Sequence, residues 1–156
     1  MKDLDYIDIK ILNILQQNSK LTNKEIAEQL GMSTSPVFER IKKLEVKKYI
    51  TKYVALVDRF KLEKKLMIIT MITLKHHTED IIKEFKEIID SYPEVTECFH
   101  VSGNADFILK VYVEGIEEYH SFLTKKLVTF KHIDSVNSSF VFKEVKSTTQ
   151  IPLSEQ

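Results

Sequence analysis

Between Ser33 and Tyr53 the chain carries six basic side chains, Arg40, Lys42, Lys43, Lys47, Lys48 and Lys52, against two glutamates. Cations gathered this closely on one helix and its flank can neutralise phosphates and offer donors to base edges. The charge balance points the same way. Residues 1–64 hold 13 Lys and Arg against 9 Asp and Glu, and residues 65–156 hold 10 against 14, within a chain whose net charge is zero. Only the first half is expected to meet a polyanion, and duplex DNA is the partner this pattern predicts.

Other reactive residue types lead nowhere comparable. His76 and His77 are neighbours, and on a strand they would point to opposite faces; His100 and Cys98 share a face but have no further ligands nearby. No metal site is expected. Three glycines, Gly31, Gly103 and Gly115, are too few for a phosphate loop or a dinucleotide fingerprint, and no nucleophile sits in a catalytic motif. The sequence therefore predicts neither a cofactor nor an enzyme. Cys98, the single cysteine, lies in a strand-like stretch and reads as a structural thiol.

The basic residues need a helix to present them. Ile7, Ile11 and Leu15 repeat at i, i+4 and i+8 with Ile14 beside them, which predicts a first helix over residues 5–17. Thr22 and Glu25 form a capping-box pattern, Leu21 and Ile26 a hydrophobic staple, and Gly31 can close the second helix in a left-handed conformation. Ser33 is placed to cap a third helix with Pro36 in its first turn, running to about Lys48. Val37, Ile41 and Leu44 turn inward on it. Ala27, Gly31 and Val37 fall where a helix-turn-helix wants a small packing residue, a turn former and a buried anchor.

That geometry assigns roles. Thr34 and Ser35 sit at the helix N-terminus, where hydroxyls and free amides suit phosphate oxygens. Ser35, Phe38, Glu39, Lys42 and Lys43 point away from the apolar face. Lys42 can reach guanine acceptors, Glu39 a cytosine amino group and Phe38 a thymine methyl. Lys47, Lys48 and Lys52 read as phosphate contacts without sequence information, and Arg40, near the apolar face, reads as structural. Residues 50–57 are β-branched and aromatic and predict a strand or wing.

A charged stretch, 58–65, reads as a linker between a DNA-binding domain over 1–57 and a second domain over 66–146. The second half alternates strand, helix, strand, strand, helix, strand at about 66–75, 79–91, 95–102, 106–113, 116–127 and 135–145. This α+β order is the signature of a ferredoxin-like βαββαβ sandwich. The apolar strand from Met67 to Leu74, with Phe99, Phe107 and Tyr112, reads as core and subunit interface. Residues 147–156 are polar with Pro152 and read as a flexible tail.

With Asp5 to Leu15, the run Ser33 to Glu45 and the turn Gly103 to Asp106 in view, the chain resembles the Lrp/AsnC, or feast/famine, family of transcriptional regulators over nearly its whole length. The resemblance implies a winged helix-turn-helix followed by a sandwich domain that senses effectors. It further implies homodimers, their assembly into larger even-numbered complexes, and binding of small molecules, typically amino acids, between dimers. Effector residues carried over on this basis are Ser102, Gly103, Asn104 and Asp106, with Ser138 from the last strand facing them. The family's sensing loop reads glycine, acidic residue, aromatic, aspartate; here Asn104 and Ala105 depart from it.

The function expected is a sequence-specific, effector-responsive DNA-binding regulator. The alternatives are an architectural, nucleoid-type DNA-binding protein without an effector, and an interaction module that has lost DNA binding; the basic third helix argues against the last. The longest apolar run, Leu66 to Leu74, falls short of the roughly 18–20 residues that span a bilayer. The charged N-terminus leads straight into a helical pattern, so no signal peptide is expected and the cytoplasm is the expected compartment.

Overall fold

A computed structural model describes residues 3–154. The described residues up to Leu56, together with those from Lys146 onward, form one compact unit, and Val57–Val145 forms the other.

The first unit is built from α1 (Tyr6–Gln17), α2 (Asn23–Leu30) and α3 (Thr34–Val46) around Ile11, Leu12, Ile26, Ala27, Val37, Ile41 and Leu44. Helix α2 starts with the capping box its sequence predicts: Thr22 Oγ1 accepts from the Glu25 amide and the Glu25 carboxylate accepts from the Thr22 amide. It ends at Gly31, whose φ of 63° is the left-handed conformation that glycine adopts without steric penalty. Asp5 and Asp8 form an equivalent capping box on α1. Ser33 has the extended backbone of an N-cap, but its hydroxyl makes no capping bond, so the first amides of α3 are not closed off by that side chain.

Residues 50–57 contain no strand, contrary to the strand their composition suggests. Val54, Leu56 and Val57 are all exposed. Residues of this type favour strands because they pack against cross-strand neighbours, and among the described residues this segment has no strand paired with it.

The second unit contains β1 (Leu66–Leu74), α4 (Glu79–Asp90), β2 (Val95–His100), β3 (Phe107–Val113), α5 (Ile116–Lys125), a short 3-10 turn (Leu127–Thr129) and β4 (Ile133–Phe140). The strands pair antiparallel in the order β2-β3-β1-β4, which is the ferredoxin-like topology. One sheet face, carrying Ile68, Ile72, Phe107, Leu109 and Val111, is covered by Phe85 and Ile89 of α4 and Tyr119 and Phe122 of α5. The alternate residues Ile69, Met71 and Ile108 occupy the opposite face and keep part of their surface exposed.

Residues 58–65 are a folded turn rather than a free linker. The Lys64 amide donates to the Arg59 carbonyl, and the Arg59 guanidinium donates to the carbonyls of Lys64 and Lys65 and pairs with Glu144 at 3.1 Å. The tail also differs from expectation where it is described. The Gln16 side-chain amide donates to the Ile151 carbonyl (3.1 Å) and accepts from the Ile151 amide (2.7 Å), while Leu153 packs against the helical core. Its last two residues, 155 and 156, lie outside the described part.

Candidate nucleic-acid interface and effector loop

Helix α3 is held by its inner face and presents its outer one. Val37, Ile41 and Leu44 are buried, whereas Thr34, Ser35, Phe38, Glu39, Lys42 and Lys43 are exposed on consecutive turns. Phe38 leaves 47% of its surface open, which puts apolar ring area into solvent on this face. Arg40 fixes the helix from the side. Its Nη1 donates to Asp5 Oδ2 and Asp8 Oδ1, both at 2.6 Å, and so ties α3 to the N-terminal capping box of α1. The Asp8 amide, with help from Arg40, holds the Asp5 carboxyl below the usual carboxylate range.

The C-terminal end of α3 carries two further lysines. Lys47 pairs with Asp3 at 3.3 Å, so its charge is partly answered within the chain. Lys48 adopts φ 62°, with its amide bonded to the Glu45 carbonyl and the Tyr49 amide reaching back to Leu44. This is the double hydrogen bond of a Schellman ending, with a lysine where glycine is usual. Lys52 is exposed in the segment beyond. There the Tyr53 hydroxyl donates to Glu45 at 2.8 Å; burial, then that carboxylate, push its pKa up to about 12.

The β2–β3 turn divides into an open part and an anchored part. Ser102, Gly103 and Asn104 are exposed; Gly103 has φ 121° and nothing near the position a Cβ would take. Ala105 is buried. The Asp106 amide donates to the Ile72 carbonyl, and its carbonyl accepts from the Val101 amide. Its carboxylate accepts from the Leu74 amide through Oδ2 (2.7 Å) and from His77 Nε2 through Oδ1 (2.9 Å).

Burial alone would raise the Asp106 carboxyl, but the Leu74 amide, the His77 hydrogen bond and the charges of His77 and His100 outweigh it and hold it below the ordinary 3.8. A carboxyl lowered on folding contributes stability above its unfolded value and loses it as the pH falls through its folded value. The Leu74 amide and the Asp106 carboxyl resonance are therefore expected to shift together on acidification, with a midpoint below 3.8. A carbon-detected NMR titration measures this, and a midpoint at or above 3.8 would contradict the anchoring described.

Ser138 is not part of this cluster. It pairs with Thr70, on the sheet face covered by helices, and its hydroxyl lies 2.5 Å from that of Tyr119, which also meets buried Thr70 at 2.7 Å. The expectation that Ser138 faces the turn is corrected by strand parity: its side chain is committed to the α5 layer. No spacing signal in the sequence links His77 to Asp106, 29 residues away.

Residues 4–51 match the model of a winged helix-turn-helix DNA-binding domain, and residues 67–151 match that of the Lrp/AsnC ligand-binding domain. The chain belongs to the Lrp/AsnC family. Like other Lrp/AsnC regulators, it joins a DNA-binding helix-turn-helix to a ligand-binding domain. The leucine-responsive regulatory protein of Haemophilus influenzae is 38% identical over 97% of this chain and 92% of its own length. The Bkd operon transcriptional regulator of Pseudomonas aeruginosa is 33% identical over 98% and 100%. A transcriptional regulator from Neisseria meningitidis, solved as a complex with L-methionine, superposes with a TM-score of 0.92 at 32% identity over 96% of both chains. An AsnC-family regulator from Agrobacterium tumefaciens gives the same score at 36% identity, covering 96% and 97%. These Lrp/AsnC relatives are transcriptional regulators, and among the described residues no helix is long and apolar enough to cross a membrane.

Proposed function

We propose that this Lrp/AsnC chain is a cytoplasmic, non-enzymatic regulator that reads a specific DNA site with the exposed face of α3 and responds to an amino acid at the Asp106 turn. The observation that carries the first part is the anchored helix with an open face: Arg40 holds α3 by its flank while Ser35, Phe38, Glu39 and Lys42 point outward. Residues 1–57 then act on DNA, and 66–146 sense the effector and assemble the protein. Ser102, Gly103, Asn104 and Asp106 form the effector loop; Ser138 is withdrawn from it. The partly exposed apolar row Ile69, Met71 and Ile108 supports a homodimer and larger even-numbered assemblies, because a second copy would cover it.

Binding to a selected genomic site and to random duplex, over a range of salt, tests this. The selected site should be preferred by roughly 10³ or more, with both affinities falling steeply as salt rises. Lys42→Ala is expected to lower discrimination between sites. Lys48→Ala and Lys48→Gly should weaken all sites equally, by the loss of one phosphate contact. The glycine variant should also be more stable than wild type by about 1 kcal/mol, since it removes a side chain from the left-handed conformation. Equal loss of discrimination from Lys42 and Lys48 variants would refute the division into readers and phosphate contacts.

A further inference from the structure

Asp106 is the one carboxylate in the 101–106 turn, and hence the group there able to neutralise the ammonium of an amino acid. Its Oδ1 is already occupied. His77 Nε2 lies 2.9 Å from it, and because an ionised carboxylate can only accept, the imidazole presents its Nε2–H, a nitrogen donor in the place a ligand ammonium would take. We propose that His77 is an internal stand-in for the effector's ammonium group, and that an amino acid binds Asp106 by displacing it. This rests on the reading of Asp106 as an effector residue.

Two features separate such a stand-in from a structural brace. The carboxylate does not need His77 to hold its position, because Oδ2 is fixed by the Leu74 amide at 2.7 Å and the Asp106 backbone bonds on both sides, to Ile72 and Val101. The imidazole is also displaceable. The His77 side chain is 58% exposed while that of Asp106 is 18% exposed, so the histidine can swing into water and leave the carboxylate in place. A hydrogen bond so open to solvent is weak, and a ligand that also engages the loop can outcompete it. Exposed Ser102 and Asn104 add neutral donors and acceptors, and the space at Gly103 is open. With asparagine and alanine at 104 and 105, the occupancy of Asp106 becomes the main electrostatic control of the loop.

Calorimetry on the full chain decides this, with the complete set of protein amino acids and the ammonium-free analogues of leucine and methionine, 4-methylpentanoate and 4-(methylsulfanyl)butanoate, as probes. Removing the competitor in His77→Ala is expected to tighten the amino acids that bind by about three- to tenfold, and to leave the ammonium-free analogues no tighter. His77→Gln, whose amide still donates to Oδ1, should fall between. An affinity unchanged or weakened in His77→Ala, with wild type binding normally, overturns the stand-in and leaves Asp106 as an effector residue. Equal tightening of the ammonium-free analogues overturns it as well. Absence of binding by wild type and both variants to every amino acid overturns the effector reading together with the stand-in.

Discussion

Arg40→Ala is expected to destabilise the DNA-binding unit by about 3 kcal/mol and to abolish tight binding to every DNA sequence alike. The guanidinium lies between Asp5 and Asp8, and the Asp8 side chain is only 2% exposed. Removing the cation leaves a buried carboxylate without its counter-charge, a change that costs several kcal/mol where both partners are dry. Asp5 is half exposed, which places the cost at the lower end. In a unit of this size the loss lowers Tm by roughly 12 to 24 °C. Hydrogen exchange should lose protection across α1 and α3 while the sheet peptides stay unchanged. Asp8→Asn combined with Arg40→Ala should cost less than the separate changes sum to, because the neutral side chain no longer needs the cation. A loss below about 0.5 kcal/mol would mean that the three residues behave as an ordinary surface ion pair.

Phe107→Ala has the complementary effect in the sensing domain. Phe107 is fully buried, its ring 4.5 Å from Phe85 and 4.7 Å from His100 by centroid. Truncating a buried phenylalanine costs about 4 kcal/mol through lost transfer energy and the cavity left behind. Because Phe107 directly follows Asp106, the same change is expected to free the carboxylate from its bond to Leu74 and, on the proposed effector role of Asp106, to weaken effector binding. Protection should fall in β1 and β3 and persist in α1–α3. Phe107→Leu, which keeps most of the volume, should cost roughly 1 to 1.5 kcal/mol. Effector affinity that survives Phe107→Ala unaltered would show that the loop does not depend on the strand behind it.

Features that proved readable from sequence were local ones. Thr22 and Glu25 are three residues apart and Gly31 directly follows Leu30, so the limits of α2 are written in adjacent residues. The strand-helix alternation after Leu66 likewise carries its own periodicity, and the βαββαβ order follows from it. The anchor of α3 escaped in detail because Arg40 meets carboxylates 32 and 35 residues away, although its position beside the apolar face marked it as structural. Ser138 was misplaced for a different reason. A family resemblance carries a residue type to a position, whereas the register Thr70↔Ser138 decides which face it occupies. The segment 50–57 has the composition of a strand without the partner that a strand requires. His77 shows the limit most clearly, since its meeting with Asp106 depends on how β1 ends beside β3.

The clasp between Gln16 and Ile151 joins positions 135 residues apart. Loop-closure entropy rises only slowly with length, so equilibrium tolerates the distance. Synthesis does not, because a chain made from its N-terminus has α1 in hand long before Ile151 exists. The sensing module, Val57–Val145, is complete before the residues that finish the DNA-binding module have been added. The order of manufacture thus runs across the order of units: α1 is made before the sensing unit but gains its clasp after it, and a chain stopped short of Ile151 carries the residues of the sensing unit beside an unclasped reader.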